Sequence, residues 1–88
     1  MKRLLAAGVQ MRPGPEKEAN VVAALTGVEW AASRGAQVII LPEHFTIYGY
    51  EQVDSTVEPI PGPTSDRFAA LAQKYGCYII CGSINEKN

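Results

Sequence analysis

The sequence predicts an α/β fold built on a small parallel sheet. Two observations predict it. Three short apolar runs alternate with two stretches whose apolar residues recur at helical spacing, giving the order β-α-β-α-β. Each helical stretch also closes with a basic residue and a glycine, as helices do when they turn directly into a strand. Strands separated by helices run parallel and are joined by right-handed crossovers. In such sheets, function gathers at the carboxyl ends of the strands.

Residues 3–11 form the first apolar run, with so few interruptions that it reads as a strand buried on both faces. Its apolar stretch of six residues is shorter than the roughly 7–15 of a secretory core, and no small-residue cleavage site follows. Pro13-Gly14-Pro15 ends the strand, and Pro15 suits the first turn of a helix. Glu16 and Glu18 sit where the helix dipole favours negative charge. Val21, Leu25, Val28 and Ala32 then mark one helical face, Arg34 falls in the last turn, and Gly35 suits a left-handed cap.

Residues 37–41 form the second strand, rich in β-branched residues. A long segment from Pro42 to Pro63 follows; loops of this length in compact domains are usually functional or disordered. Its aromatics, Phe45, Tyr48 and Tyr50, argue for order. Thr64 or Ser65 is expected to cap the next helix, whose apolar stripe is Phe68, Leu71, Ala72 and Tyr75. Lys74 and Gly76 end it, and residues 77–84 form the third strand. The two helix exits read as one αβ junction used twice.

Composition narrows the function classes. The formal net charge is -1 with both signs interspersed, so no basic face argues for nucleic acid. No segment approaches the ~18 apolar residues of a membrane helix. The two cysteines, without a secretory signal, fit reduced thiols and a cytoplasmic location. A chain of 88 residues buries roughly 60–65% of its unfolded surface, a marginal core unless something else covers it. A three-stranded parallel sheet has two open edges, so these residues are expected to be the front part of a larger domain.

The chemistry-bearing feature is Val38-Ile39-Ile40-Leu41-Pro42-Glu43. A carboxylate placed directly against an apolar floor is where an acid–base group with a raised pKa would be built. The plainer reading is a strand-end carboxylate that caps a helix or pairs with an arginine. Phe45, Tyr48 and Tyr50 leave the same strand end and are candidates to line a substrate pocket, or else to pack the loop. His44 reads as a structural histidine beside the glutamate. Cys81 sits inside an apolar strand, where a small buried hydrophobe is expected, and Cys77 begins that strand. Two cysteines at this spacing without a nearby histidine do not make a zinc site, which wants four ligands. No glycine-rich phosphate loop is present.

Several of these pieces together resemble a known family. They are Val9-Gln10-Met11, Asn20, Arg34-Gly35-Ala36, Ile39-Ile40-Leu41-Pro42-Glu43, Glu58-Pro59-Ile60-Pro61-Gly62-Pro63, the Leu71-Ala72 to Tyr75-Gly76 helix end, and Gly82-Ser83-Ile84-Asn85-Glu86. In this order they are similar to the N-terminal part of the nitrilase superfamily, the carbon–nitrogen hydrolases. The resemblance covers essentially the whole chain and makes residues 1–88 the N-terminal fragment of a single hydrolase domain.

The resemblance implies a four-layer α-β-β-α sandwich and a Glu-Lys-Cys triad. In that triad Glu43 is the general base, and the lysine and nucleophilic cysteine lie in later motifs. It implies a small amide, carbamoyl or nitrile substrate, no cofactor or metal, and a homo-oligomer for the complete enzyme. Neither Cys77 nor Cys81 stands in the family's nucleophile motif, and Glu86 reads as structural. The Gly82-Ser83-Ile84-x-Glu86 ending looks more like the omega-amidase and carbamoylase branches than like true nitrilases. Two other classes remain open on the residues alone. One is the front of a (β/α)₈ glycosidase using a strand-end glutamate, and the other is a non-catalytic α/β binding module.

Overall fold

The computed structural model describes residues 4–43, 45 and 61–82. Their element order is β1 (Ala6–Gly8), α1 (Lys17–Ser33), β2 (Val38–Ile40), α2 (Pro63–Tyr75) and β3 (Tyr78–Ile80). The strands form one sheet in the order β1-β2-β3, with both pairs parallel. Ala7, Ile39 and Ile79 lie in register across it. Beyond the strands proper the ladder continues at both ends. The Gln37 amide donates to the Leu5 carbonyl at 2.8 Å, and the Leu41 amide donates to the Ile80 carbonyl at 2.9 Å.

The strand order explains which face is covered. When consecutive parallel strands are laid side by side by crossovers of one hand, the connecting helices fall on the same side of the sheet. Here α1 packs on β2, α2 packs on β3, and the helices pack on each other. Ile39 faces them and is fully buried, and Val21, Ala24, Val28, Ala31 and Ala32 of α1 and Phe68 of α2 are buried with it. The alternate residues face the other way: Ile40 is 45% exposed, Ile80 51% and Tyr78 77%. A first strand buried on both faces is therefore not what forms. Ala6 and Gly8 are exposed, because among the described residues nothing covers the second face.

The helix ends follow local chemistry, with two departures from the sequence reading. The first helix begins at Lys17, with Glu16 in extended backbone before it, so Pro15 stands ahead of the first turn. The second begins at Pro63, which uses proline where the missing amide is harmless. Gly62 precedes it, and Ser65 reaches back so that its Oγ accepts the Gly62 amide at 2.8 Å. Thus Ser65 is the capping partner three residues in, not the cap itself. An exposed ion pair joins the helices, with Arg67 Nη1 donating to Glu18 at 2.9 Å.

Both helices exit through glycines at positive φ, +93° at Gly35 and +63° at Gly76. A residue with a Cβ adopts that conformation at a cost of about 1–2 kcal/mol. The junctions are related but not identical. Val38 comes three residues after Gly35, whereas its register partner Tyr78 comes two after Gly76. Arg34 stacks its guanidinium 3.8 Å from the centre of the Trp30 ring and donates to the Trp30 carbonyl.

Candidate active site

Three chain exits meet at the carboxyl edge of the sheet. β1 leads into Val9 and Gln10, β2 into Leu41-Pro42-Glu43, and β3 into Cys81-Gly82. Because β2 is the central strand, Glu43 leaves from the middle of this edge with a neighbour on each side. The ladder is held close to the glutamate. The Val9 amide donates to the Ile40 carbonyl at 2.9 Å, and Leu41 is bonded to β3 and almost fully buried. Pro42 cannot donate to a ladder, so regular pairing stops one residue before Glu43.

Glu43 itself lies in a turn and is exposed. The sequence sets its carboxylate directly against an apolar floor; instead it is exposed, while Leu41 before it is buried. Phe45 returns immediately to the interior. It is fully buried, and its ring meets Phe68 edge to face, with centroids 5.5 Å apart and planes at 89°. Its ring is taken up by the core, so it anchors the chain just past the glutamate rather than offering a free face to a ligand. Tyr48 and Tyr50, the other two candidates for a substrate pocket, lie outside the described residues, as do His44 and Glu86.

The cysteines occupy core positions. Cys77 is buried at the start of β3, and Cys81 is half-buried just past its end. Burial pushes the Cys81 thiol up from its ordinary value, which favours the neutral thiol over the nucleophilic thiolate. Among the described residues no group of three or more histidine, cysteine, aspartate or glutamate side chains is placed to hold a metal. No helix among them is long and apolar enough to cross a membrane.

Asn20 has a structural part that its sequence position did not reveal. Its side chain is buried and pairs reciprocally with one residue of the β1–α1 loop. The Gly14 amide donates to Oδ1 at 2.9 Å, and Nδ2 donates to the Gly14 carbonyl at 2.8 Å. The loop leaving β1 is thereby tied to the first turn of α1, which fixes one flank of the strand-end edge. A buried polar residue early in a helix was the signal available, but its partner was not. A wide groove between α1 and α2, lined by Val22, Leu25, Trp30, Arg34, Leu71 and Tyr75, includes none of the strand-end residues. It is a feature of the helical layer, and the candidate chemistry is elsewhere.

Fold and site together define a parallel α/β unit whose chemistry-bearing carboxylate leaves the carboxyl end of its central strand. The carbon-nitrogen hydrolase family model matches residues 5–88, and the chain belongs to that family. It is 37% identical over 81 residues to omega-amidase NIT2 of Xenopus tropicalis, an alignment covering 91% of this chain and 29% of that protein. It is 36% identical over 89 residues to omega-amidase NIT2 of Danio rerio, covering 100% of this chain and 32% of that protein. The human omega-amidase NIT2 is 32% identical over 81 residues. The chain thus spans about three tenths of the length of these relatives.

Proposed function

We propose that this chain is the N-terminal portion of an amidase-type carbon–nitrogen hydrolase, with Glu43 as its general base. The observation that carries the reading is the placement of Leu41-Pro42-Glu43 at the carboxyl end of the central strand, in a chain the family model matches almost throughout. The substrate is a small non-peptide molecule with a terminal carboxamide, the class named by the omega-amidase relatives. A cysteine and a lysine from the remainder of the domain complete the site.

The roles follow from charge and proton balance. The Glu43 carboxylate accepts the thiol proton, and the thiolate sulfur bonds to the amide carbon. The lysine ammonium stabilises the negative charge that develops on the amide oxygen. When the C–N bond breaks, the proton held by Glu43 goes to the departing nitrogen, and ammonia leaves. Water then attacks the thioester with Glu43 again accepting its proton, which returns to the thiol as the acid is released. One carboxylate performs four proton movements, so it has to reach both the sulfur and the leaving nitrogen. An exposed turn at the strand end leaves that space in front of it.

The uncovered face of the sheet supports the four-layer arrangement. Ile40, Tyr78 and Ile80 form an exposed apolar surface on a parallel sheet, a class of sheet normally covered on both faces. A second sheet from the rest of the domain is the matching cover. The test is ammonia release from a terminal carboxamide by the complete enzyme. Glu43→Gln is expected to lower kcat by about 10²–10⁴-fold, the range for a positioned acid–base group. Activity unchanged in Glu43→Gln would remove the glutamate from the mechanism.

A further inference from the structure

Pro42 and Gly82 face each other where the β2–β3 register runs on past Ile40 and Ile80. At this point the chain leaving β3 lies directly on the backbone of β2. A Cβ built on Gly82 falls well inside van der Waals contact with the carbonyl carbon and oxygen of Pro42, and 2.6 Å from the Leu41 carbonyl oxygen. The obstacles are all main-chain atoms, which have no rotamer through which to move aside. Gly8, at the end of β1 on the far side of β2, has nothing within 4 Å of its own built Cβ. The close approach is therefore particular to the β3 exit and not a general property of strand ends here.

The obstructed group matters because of what it is attached to. The Pro42 carbonyl belongs to the peptide that joins Pro42 to Glu43. Any rotation or shift of that peptide re-aims the Cα–Cβ bond of Glu43. Behind it, Leu41 is held to Ile80 by its amide and is buried. Pro42 has its φ fixed by its ring. Part of the strain of an added methyl at position 82 therefore falls on the Pro42–Glu43 peptide, since Leu41 behind it is held.

We propose that Gly82 is a positioning residue for Glu43. Its bare Cα lets β3 press against the Pro42–Glu43 peptide and hold it in the orientation that aims the carboxylate. This rests on the reading of Glu43 as the general base. Its partner strand thereby serves the site with no side chain of its own.

The test is a double-mutant cycle in the complete enzyme, with steady-state kinetics of ammonia release and its pH profile. Relieving the contact requires a shift on the order of 1 Å, and misplacement of that size lowers turnover by about 10²-fold. Gly82→Ala is expected to reduce kcat by that factor with KM nearly unchanged and with the acid limb of the kcat/KM profile displaced. In the Glu43→Gln background the same substitution is expected to have no further effect on the residual rate, because the group it moves is no longer a base.

Wild-type kcat and pH profile in Gly82→Ala, or an equal loss in both backgrounds, would overturn the positioning role while leaving Glu43 as base. Full activity in Glu43→Gln would instead overturn the base assignment, and the positioning role with it. If Gly82→Ala does not accumulate as folded protein, Pro42→Gly/Gly82→Ala replaces it, since a freed φ at 42 lets the peptide swing away from the added methyl. That double variant is expected to fold with kcat at least tenfold below Pro42→Gly alone. Equal kcat for the two would refute the proposal.

Discussion

If the open face of the sheet is an internal surface of the complete domain, Ile40 and Ile80 should matter more in the complete enzyme than in the isolated chain. Full burial of an isoleucine side chain is worth about 1.5–3 kcal/mol. Ile40 keeps 45% of its surface exposed here and Ile80 51%, so about half of that value remains unrealised at each position. Covering both residues therefore adds about 1.5–3 kcal/mol in total. Ile40→Thr/Ile80→Thr keeps the β-branched shape that strands favour while removing the apolar surface. In the isolated 88-residue chain the pair should cost only the half of that burial already realised, up to about 1.5–3 kcal/mol. In the complete enzyme it should cost about 1.5–3 kcal/mol more than that, read as a lower urea midpoint with an unchanged m value. Sedimentation velocity supplies the second arm. The isolated chain should self-associate at micromolar concentration through the exposed Ile40, Tyr78 and Ile80, and the double threonine variant should associate less. An equal effect in both contexts, or an isolated chain that stays monomeric at micromolar concentration, would refute the idea that this face needs a cover.

Other substitutions test the parts that hold the site edge. Gly76→Ala should destabilise by about 1–2 kcal/mol through its backbone alone, since φ is +63° and a methyl there meets open space; Gly76→Asn should cost less, and a thermal melt orders the three. Asn20→Ala removes two hydrogen bonds to Gly14 from a buried site and should cost about 1–3 kcal/mol, with faster proteolysis in residues 9–16 as a local readout. The Cys81 thiol, raised by burial, should react more slowly with iodoacetamide at neutral pH than a free thiol does. The same shift gives a pH dependence. The folded state holds its proton to higher pH than the unfolded chain, so its contribution to stability is complete below the ordinary thiol range and fades as pH rises through the raised value. Stability that climbs with pH across that window, and becomes flat in Cys81→Ala, would contradict the assignment.

The parts of the fold that were legible in the sequence are those set by local chemistry. The apolar period of residues 21–32 located α1, and the glycines after each helix located its end, because backbone handedness acts within a few residues. What was not legible depends on contacts between distant segments. Nothing in Val38-Ile39-Ile40 distinguishes a strand covered on both sides from one covered on a single side; the strand order and crossover hand decide that. Leu25 seemed as central to the helix stripe as Val28, yet Ala24 and Ala31 are the more deeply buried, since close packing of α1 on the sheet favours small residues. For the same reason Gly82 looked like one more residue of a motif. Its meaning lies in the Pro42 backbone opposite it, which no local pattern encodes.

The exposure of Glu43 changes what these strands contribute to the proposed base. Leu41 is buried in the core, whereas Glu43, in the turn after Pro42, is exposed. The contribution of these strands is therefore geometric. The central position of β2, the ladder bonds at Val9 and Leu41, the ring of Phe45 locked against Phe68 and the bare Cα of Gly82 fix where the carboxylate starts from. If Glu43 is the base, substitutions in this chain should therefore change turnover through its aim.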